Sequence, residues 1–139
     1  MIQYQMNKNI LLLCSDNSSL SILAQAVLNH YLPNIEAQSA GYKKNKPLNP
    51  SVKKALIKDG SWNDEYNSKK LEAVISTQFD LVFILSPFAS KAAKEFAEGT
   101  IVIEIEYEDP DYTNSTNLER FIKTLKMELI PITRDVLEL

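Results

Sequence analysis

The residues best suited to chemistry in this 139-residue chain lie between positions 14 and 21. They read Cys14-Ser15-Asp16-Asn17-Ser18-Ser19-Leu20-Ser21, closing an apolar run and leading into a segment with helical spacing. A short polar turn from a strand into a helix can wrap its amides around an anion, and the helix N-terminus adds positive potential. The same field favours the thiolate of a cysteine at the base of the turn. Such a thiolate can attack phosphorus while a carboxylic acid elsewhere protonates the leaving oxygen. The octapeptide also fits a buried cysteine that closes a strand, followed by a serine-rich helix cap.

Other chemistries are bounded by composition. One cysteine rules out a disulfide framework and a thiolate zinc site. The sole histidine, His30, falls late in the first helical segment, where the helix dipole favours it, and one residue cannot build a histidine metal site. Neither a metal nor a cofactor is expected. Lys plus Arg is 15 against 18 Asp plus Glu, a net charge of −3, which argues against a nucleic-acid partner. Hydrophobic residues at 45% and charged residues at 24% are ordinary for a globular protein. The polar start Met1–Asn9 lacks a signal peptide's apolar core, and the run Ile10–Leu13 is far short of the ~20 residues that span a bilayer. A cytoplasmic location without a membrane partner is therefore expected, where a lone thiol stays reduced.

The elements that position the octapeptide follow from periodicity. Apolar runs at Ile10–Cys14, Ile35–Ser39, Leu81–Leu85 and Ile101–Ile105 read as buried strands, the first and third nearly continuous, as in parallel sheets. Leu20, Leu23, Ala24, Val27, Leu28 and Tyr31 form a helical stripe that Pro33 ends. A second helix opens at Asn49-Pro50 and closes at Gly60. Leu71, Val74 and Ile75 mark a third helix, and Phe88, Ala92, Ala93 and Phe96 a fourth. Residues 116–139 carry a last stripe, which Pro131 is expected to break or kink. No repeat or low-complexity tract is present. Strands alternating with helices indicate an α/β sheet whose sites form at the strands' carboxyl ends. The length fits one domain, residues 1–139, with residues 1–8 as a flexible N-terminal tail.

Several segments after those strands share one pattern. Ser39-Ala40-Gly41 ends the second strand, Asn49-Pro50 starts a helix, Ser68-Lys69-Lys70-Leu71 follows, Phe79-Asp80-Leu81-Val82 opens the third strand, and Asp109-Pro110 lies after the fourth. In order and spacing they resemble the low-molecular-weight protein tyrosine phosphatases and the arsenate reductases that share their fold, over roughly residues 8–130. The Cys-x5-Arg-Ser loop of that family is similar to Cys14–Ser21. The resemblance implies a three-layer α/β/α domain with a four-stranded parallel sheet in order 2-1-3-4. It implies Cys14 as nucleophile, Asp109 as general acid, and Ser15, Asn17, Ser18, Ser19 and Ser21 as the phosphate-binding residues, Asn17 and Ser21 also shaping the turn and hydrogen-bonding the thiolate. The implied ligand is phosphate or a phosphorylated molecule, including a phosphoprotein. Asp109-Pro110 also reads as a plain turn in an acidic stretch, Glu104–Asp111, with five carboxylates.

The pattern fails at two places. Leu20 holds the position of the family's arginine, whose guanidinium forks onto two phosphate oxygens, and leucine donates nothing. Asp16 holds a position where glycine is frequent and adds a negative charge. The only arginines, Arg120 and Arg134, belong to the C-terminal stripe. Residues 42–58 hold six lysines and no acid; of these Lys43, Lys44 and Lys46 follow the second strand, making Lys43 and Lys44 candidates for an auxiliary cation. A solvated loop and helix face explains the same cluster. Thioredoxin-coupled arsenate reductases use further cysteines after the third strand; here the segment is Ser86-Pro87-Phe88-Ala89-Ser90. Trp62 and Tyr66 fall near the expected rim, either to stack on an aromatic substrate or to pack on the domain. Three readings result: a phosphatase of impaired activity, a catalytically inactive binding or regulatory module, and an arsenate reductase using external thiols.

Overall fold

Four consecutive residues with no polar interruption, Ile10–Leu13, are stable only where a strand is covered on both sides. In the computed structural model, which describes residues 7–139 apart from the Phe88 side chain, all four are fully buried. They belong to β1 (Lys8–Cys14), the centre of a parallel sheet with β2 (Ile35–Gly41), β3 (Leu81–Ile84) and β4 (Ile101–Glu104), in order β2-β1-β3-β4. Leu12 lies opposite Ser39 on one side and Phe83 on the other, and Cys14 lies opposite Gly41. Of the expected N-terminal tail, residues 1–6 lie outside the described residues, and Lys8 already pairs with Ile35.

Alternation along β1 assigns its side chains to two layers. Ile10 and Leu12 pack with Leu81 and Phe83 beneath α1 (Leu20–Tyr31), α2 (Pro50–Asp59) and α3 (Ser115–Leu137). Leu11 and Leu13 pack on the opposite face with Val82, Ile84, Leu71, Val74 and Ala92. That second face is covered by 3-10 segments, Leu71–Ala73 and Pro87–Glu95, where the spacing suggests ordinary helices. A 3-10 turn advances ~2.0 Å per residue against 1.5 Å in an α-helix.

Helix termini follow local chemistry. Asn49 caps α2 by accepting from the Ser51 amide at 3.0 Å, Pro50 needs no amide partner in the first turn, and Gly60 closes the helix in the left-handed region at φ 83°. By contrast, Pro131 does not break the last helix. α3 runs continuously through it. Proline removes the donor to the Met127 carbonyl, but Met127 is 77% exposed and Pro131 is exposed too. On so exposed a part of the helix, water can take the place of the missing donor, so the helix continues. Among the described residues no helix is long and apolar enough to cross a membrane.

Candidate active site

The carboxyl ends of β1 and β3, the start of α1 and the chain after β4 surround a cavity of about 400 Å³. Cys14, Ser15, Asp16, Ser18, Ser19 and Leu20 form one wall; Leu85, Ser86 and Pro87 form the second; Glu106, Tyr107, Asp109 and Tyr112 form the third. A larger open groove of about 1060 Å³ lies at the opposite end of the strands, near Asn7, Phe79 and Ile101. It contains neither cysteine nor histidine and lies away from the carboxyl edge where parallel sheets place their sites.

The turn between β1 and α1 is held from behind by a buried polar network. Asn17 is fully buried and adopts φ 53°, a left-handed conformation that asparagine tolerates better than most residues. Its amide donates to Cys14 Sγ at 3.2 Å, its Nδ2 donates to Ser21 Oγ at 2.9 Å, and its Oδ1 accepts from the Lys69 amide at 2.8 Å. Ser21 Oγ in turn lies 2.8 Å from Cys14 Sγ. Ser19, the N-cap of α1, makes no side-chain cap bond, so the first amides of the helix are not consumed by a capping oxygen. Three amides of the chain between β2 and α2 clamp the turn: the Tyr42 amide donates to the Cys14 carbonyl at 2.9 Å, that of Lys46 to the Asp16 carbonyl at 2.9 Å, and that of Asn49 to the Ser18 carbonyl at 3.0 Å.

Gly41 permits this packing. A Cβ there would lie 2.0 Å from the Lys44 carbonyl oxygen and 3.0 Å from the Asp16 carbonyl carbon. Only glycine allows the two loops to approach so closely.

The electrostatics of the cavity are unusual for an anion site. Asp16, Glu106 and Asp109 line it, and among the described residues no lysine or arginine does. Burial pushes the Cys14 thiol above its ordinary value, and the Ser21 hydroxyl and the amides of Asn17, Asp16 and Ser21 only partly offset this. Tyr112 donates to Asp109 Oδ1 at 2.6 Å. Burial, the hydrogen-bonded Asp109 carboxylate, and the nearby charges of Asp109, Cys14 and Asp16 drive its phenol well above the usual range. The phenol therefore stays protonated and donates to Asp109 Oδ1.

Cys14, Ser15, Ser18, Ser19 and Asp109 thus share one cavity, and Asn17 and Ser21 support it from behind. Leu20 faces the same cavity while remaining 7% exposed within the hydrophobic core. Lys43 and Lys44 do not line it; Lys43 Nζ sits 5.2 Å from the centre of the Tyr42 ring. Lys46 Nζ lies 3.8 Å from Asp16 Oδ2. Trp62 and Tyr66 meet edge to face at 5.6 Å and pack against the core beside α1 and α2, away from the cavity. Glu106, Tyr107 and Tyr112 went unrecognised in the sequence, although Tyr112 sits three residues beyond the Asp109 motif. Among the described residues no group of three or more His, Cys, Asp and Glu side chains could hold a metal.

A family model described as low molecular weight phosphotyrosine protein phosphatase matches residues 9–136. No curated protein matches the sequence. Among solved structures, one described as an arsenate reductase in the phosphate binding state is similar with a TM-score of 0.79 at 18% identity, over 93% of this chain and 98% of that one. A low molecular weight protein tyrosine phosphatase from T. tengcongensis gives 0.74 at 17% identity, over 93% and 99%. Wzb of Vibrio vulnificus in complex with benzylphosphonate gives 0.68 at 19% identity, over 86% and 92%. At these identities the structural likeness speaks for the fold.

Proposed function

Because the chain belongs to the low molecular weight phosphotyrosine protein phosphatase family, we propose that it is a phosphomonoesterase acting through Cys14, with activity impaired by the exchange of the loop arginine for Leu20. The observation that carries this reading is the convergence of a hydrogen-bonded Cys14 and the Tyr112-held Asp109 on one cavity.

In this mechanism Cys14, as thiolate, attacks phosphorus. The S–P bond forms as the ester P–O bond breaks, and protonated Asp109 gives its proton to the leaving oxygen. Asp109, now a carboxylate, takes a proton from the water that cleaves the S–P bond, and inorganic phosphate and the thiolate are released. Ser15, Ser18 and Ser19, with the loop amides, are the phosphate-binding groups. The transition state lacks a forked cation, and Asp16 adds repulsion. Losing even one neutral donor to a developing charge costs about 2.7–4 kcal/mol in other enzymes.

Hydrolysis of para-nitrophenyl phosphate tests the reading. The expected result is slow turnover that Cys14→Ser abolishes. Turnover at ~1 per second or faster contradicts the impairment, and residual turnover indifferent to Cys14→Ser contradicts the nucleophile.

A second reading, a phosphatase-fold binding or regulatory module without catalysis, draws support from the acidic cavity and the raised thiol. Arsenate reduction is the third; with Cys14 the only cysteine, it needs a thiol from outside the chain. A phosphorylated protein as the natural ligand and a cytoplasmic location are parts of the first reading.

A further inference from the structure

The cavity's most exceptional residue is Asp16, because its carboxylate already receives what an incoming oxyanion would be offered. Its Oδ1 accepts both donors of Ser18, the amide at 3.2 Å and the hydroxyl at 2.8 Å. Its Oδ2 lies 3.8 Å from Lys46 Nζ. Lys46 is tethered there by its own amide, which donates to the Asp16 carbonyl at 2.9 Å. The Asp16 side chain is 22% exposed, while that of Lys46 is 64% exposed. A carboxylate and a phosphate oxygen are both acceptor-only anions, so they compete for the same donors.

We propose that Asp16 is an internal anion of the loop, holding the Ser18 donors and the Lys46 charge, and that an external oxyanion binds only by displacing it and taking Lys46 over. Lys46 is then the anion-binding cation of this site, in place of Lys43 or Lys44. The inference rests on reading residues 14–21 as an oxyanion loop. It explains why the site holds a lysine near the loop and yet presents no cation to the cavity: the lysine is paired with Asp16. Asp16 is accordingly the residue that sets specificity against dianions.

Binding of inorganic phosphate at constant ionic strength, followed by calorimetry, tests this on the full chain. Wild type is expected to bind weakly. Asp16→Asn keeps an acceptor for Ser18 but removes the charge, and should tighten binding about tenfold, the equivalent of ~1.4 kcal/mol. Asp16→Gly also frees both Ser18 donors and should bind tighter still. Adding Lys46→Gln to Asp16→Asn should remove most of the gain, whereas adding Lys44→Gln should not. Folded Asp16 variants that bind phosphate no better than wild type would overturn the proposal. So would an Asp16→Asn variant whose affinity is indifferent to Lys46→Gln. Binding is read separately from turnover. Tighter phosphate without Cys14-dependent hydrolysis supports the internal anion and fails the phosphatase reading; Cys14-dependent hydrolysis with unchanged affinity does the reverse.

Discussion

Two opposing influences meet at the Cys14 sulfur. The Asn17 amide and the Ser21 hydroxyl stabilise a thiolate, but removal from water destabilises it more, and the thiol lies above its ordinary value. A thiol at or above the usual pKa of ~8.5 is less than about 3% ionised at pH 7. The rate of alkylation by iodoacetamide should therefore be low at neutral pH and still climbing at pH 9. A rate that has levelled off by pH 6–7 would show that another group supplies the missing positive field. These residues differ in how readable they were from sequence. Cys14, Asn17, Ser21 and Asp109 stood out because their types and spacing match a known loop. The Asp16–Lys46 pair did not, since a lysine thirty residues away is one of six in a basic stretch, and only the folded loop selects among them.

At the scale of elements, the β1–α1 turn takes its shape from the chain after β2. Gly41 brings the Lys44 carbonyl to the back of Asp16, and the amides of Tyr42, Lys46 and Asn49 bind three carbonyls of the turn. Gly41→Ala must push these loops apart, because the clash is with backbone atoms that have nowhere to rotate. A loss of about 2 kcal/mol or more is expected, read as a lowered melting temperature together with faster Cys14 alkylation at fixed pH. An unchanged melting temperature would mean the loops separate at no cost. Strands β1 and β3 and the limits of α2 were legible in the sequence because unbroken apolar runs and an Asn-Pro…Gly frame have few alternative readings. The 3-10 segments and the unbroken α3 were not. Apolar spacing does not distinguish a 3-10 from an α-helical turn over so few residues, and the effect of Pro131 depends on whether the Met127 carbonyl reaches water, which only the packing determines.

For the whole molecule, the fold and its chemistry are nearly independent. The core that places the loop is built from residues such as Ile10, Leu12, Phe83, Leu125 and Leu129, none of which faces the cavity. Leu20 belongs to both, lining the cavity while packed in the core. Its replacement by arginine is expected to cost ~1–3 kcal/mol of stability. The order of the strands was legible only through the resemblance, since apolar runs alone do not say which strands are neighbours. The most direct measurement of the central claim, that this is a phosphatase scaffold disabled at two positions, is the turnover of para-nitrophenyl phosphate by Leu20→Arg/Asp16→Gly beside wild type, each with and without Cys14→Ser. The expected result is a gain of about a hundredfold or more that Cys14→Ser abolishes. A double variant that melts cooperatively, yet neither hydrolyses the ester faster nor is stabilised by phosphate, would contradict it.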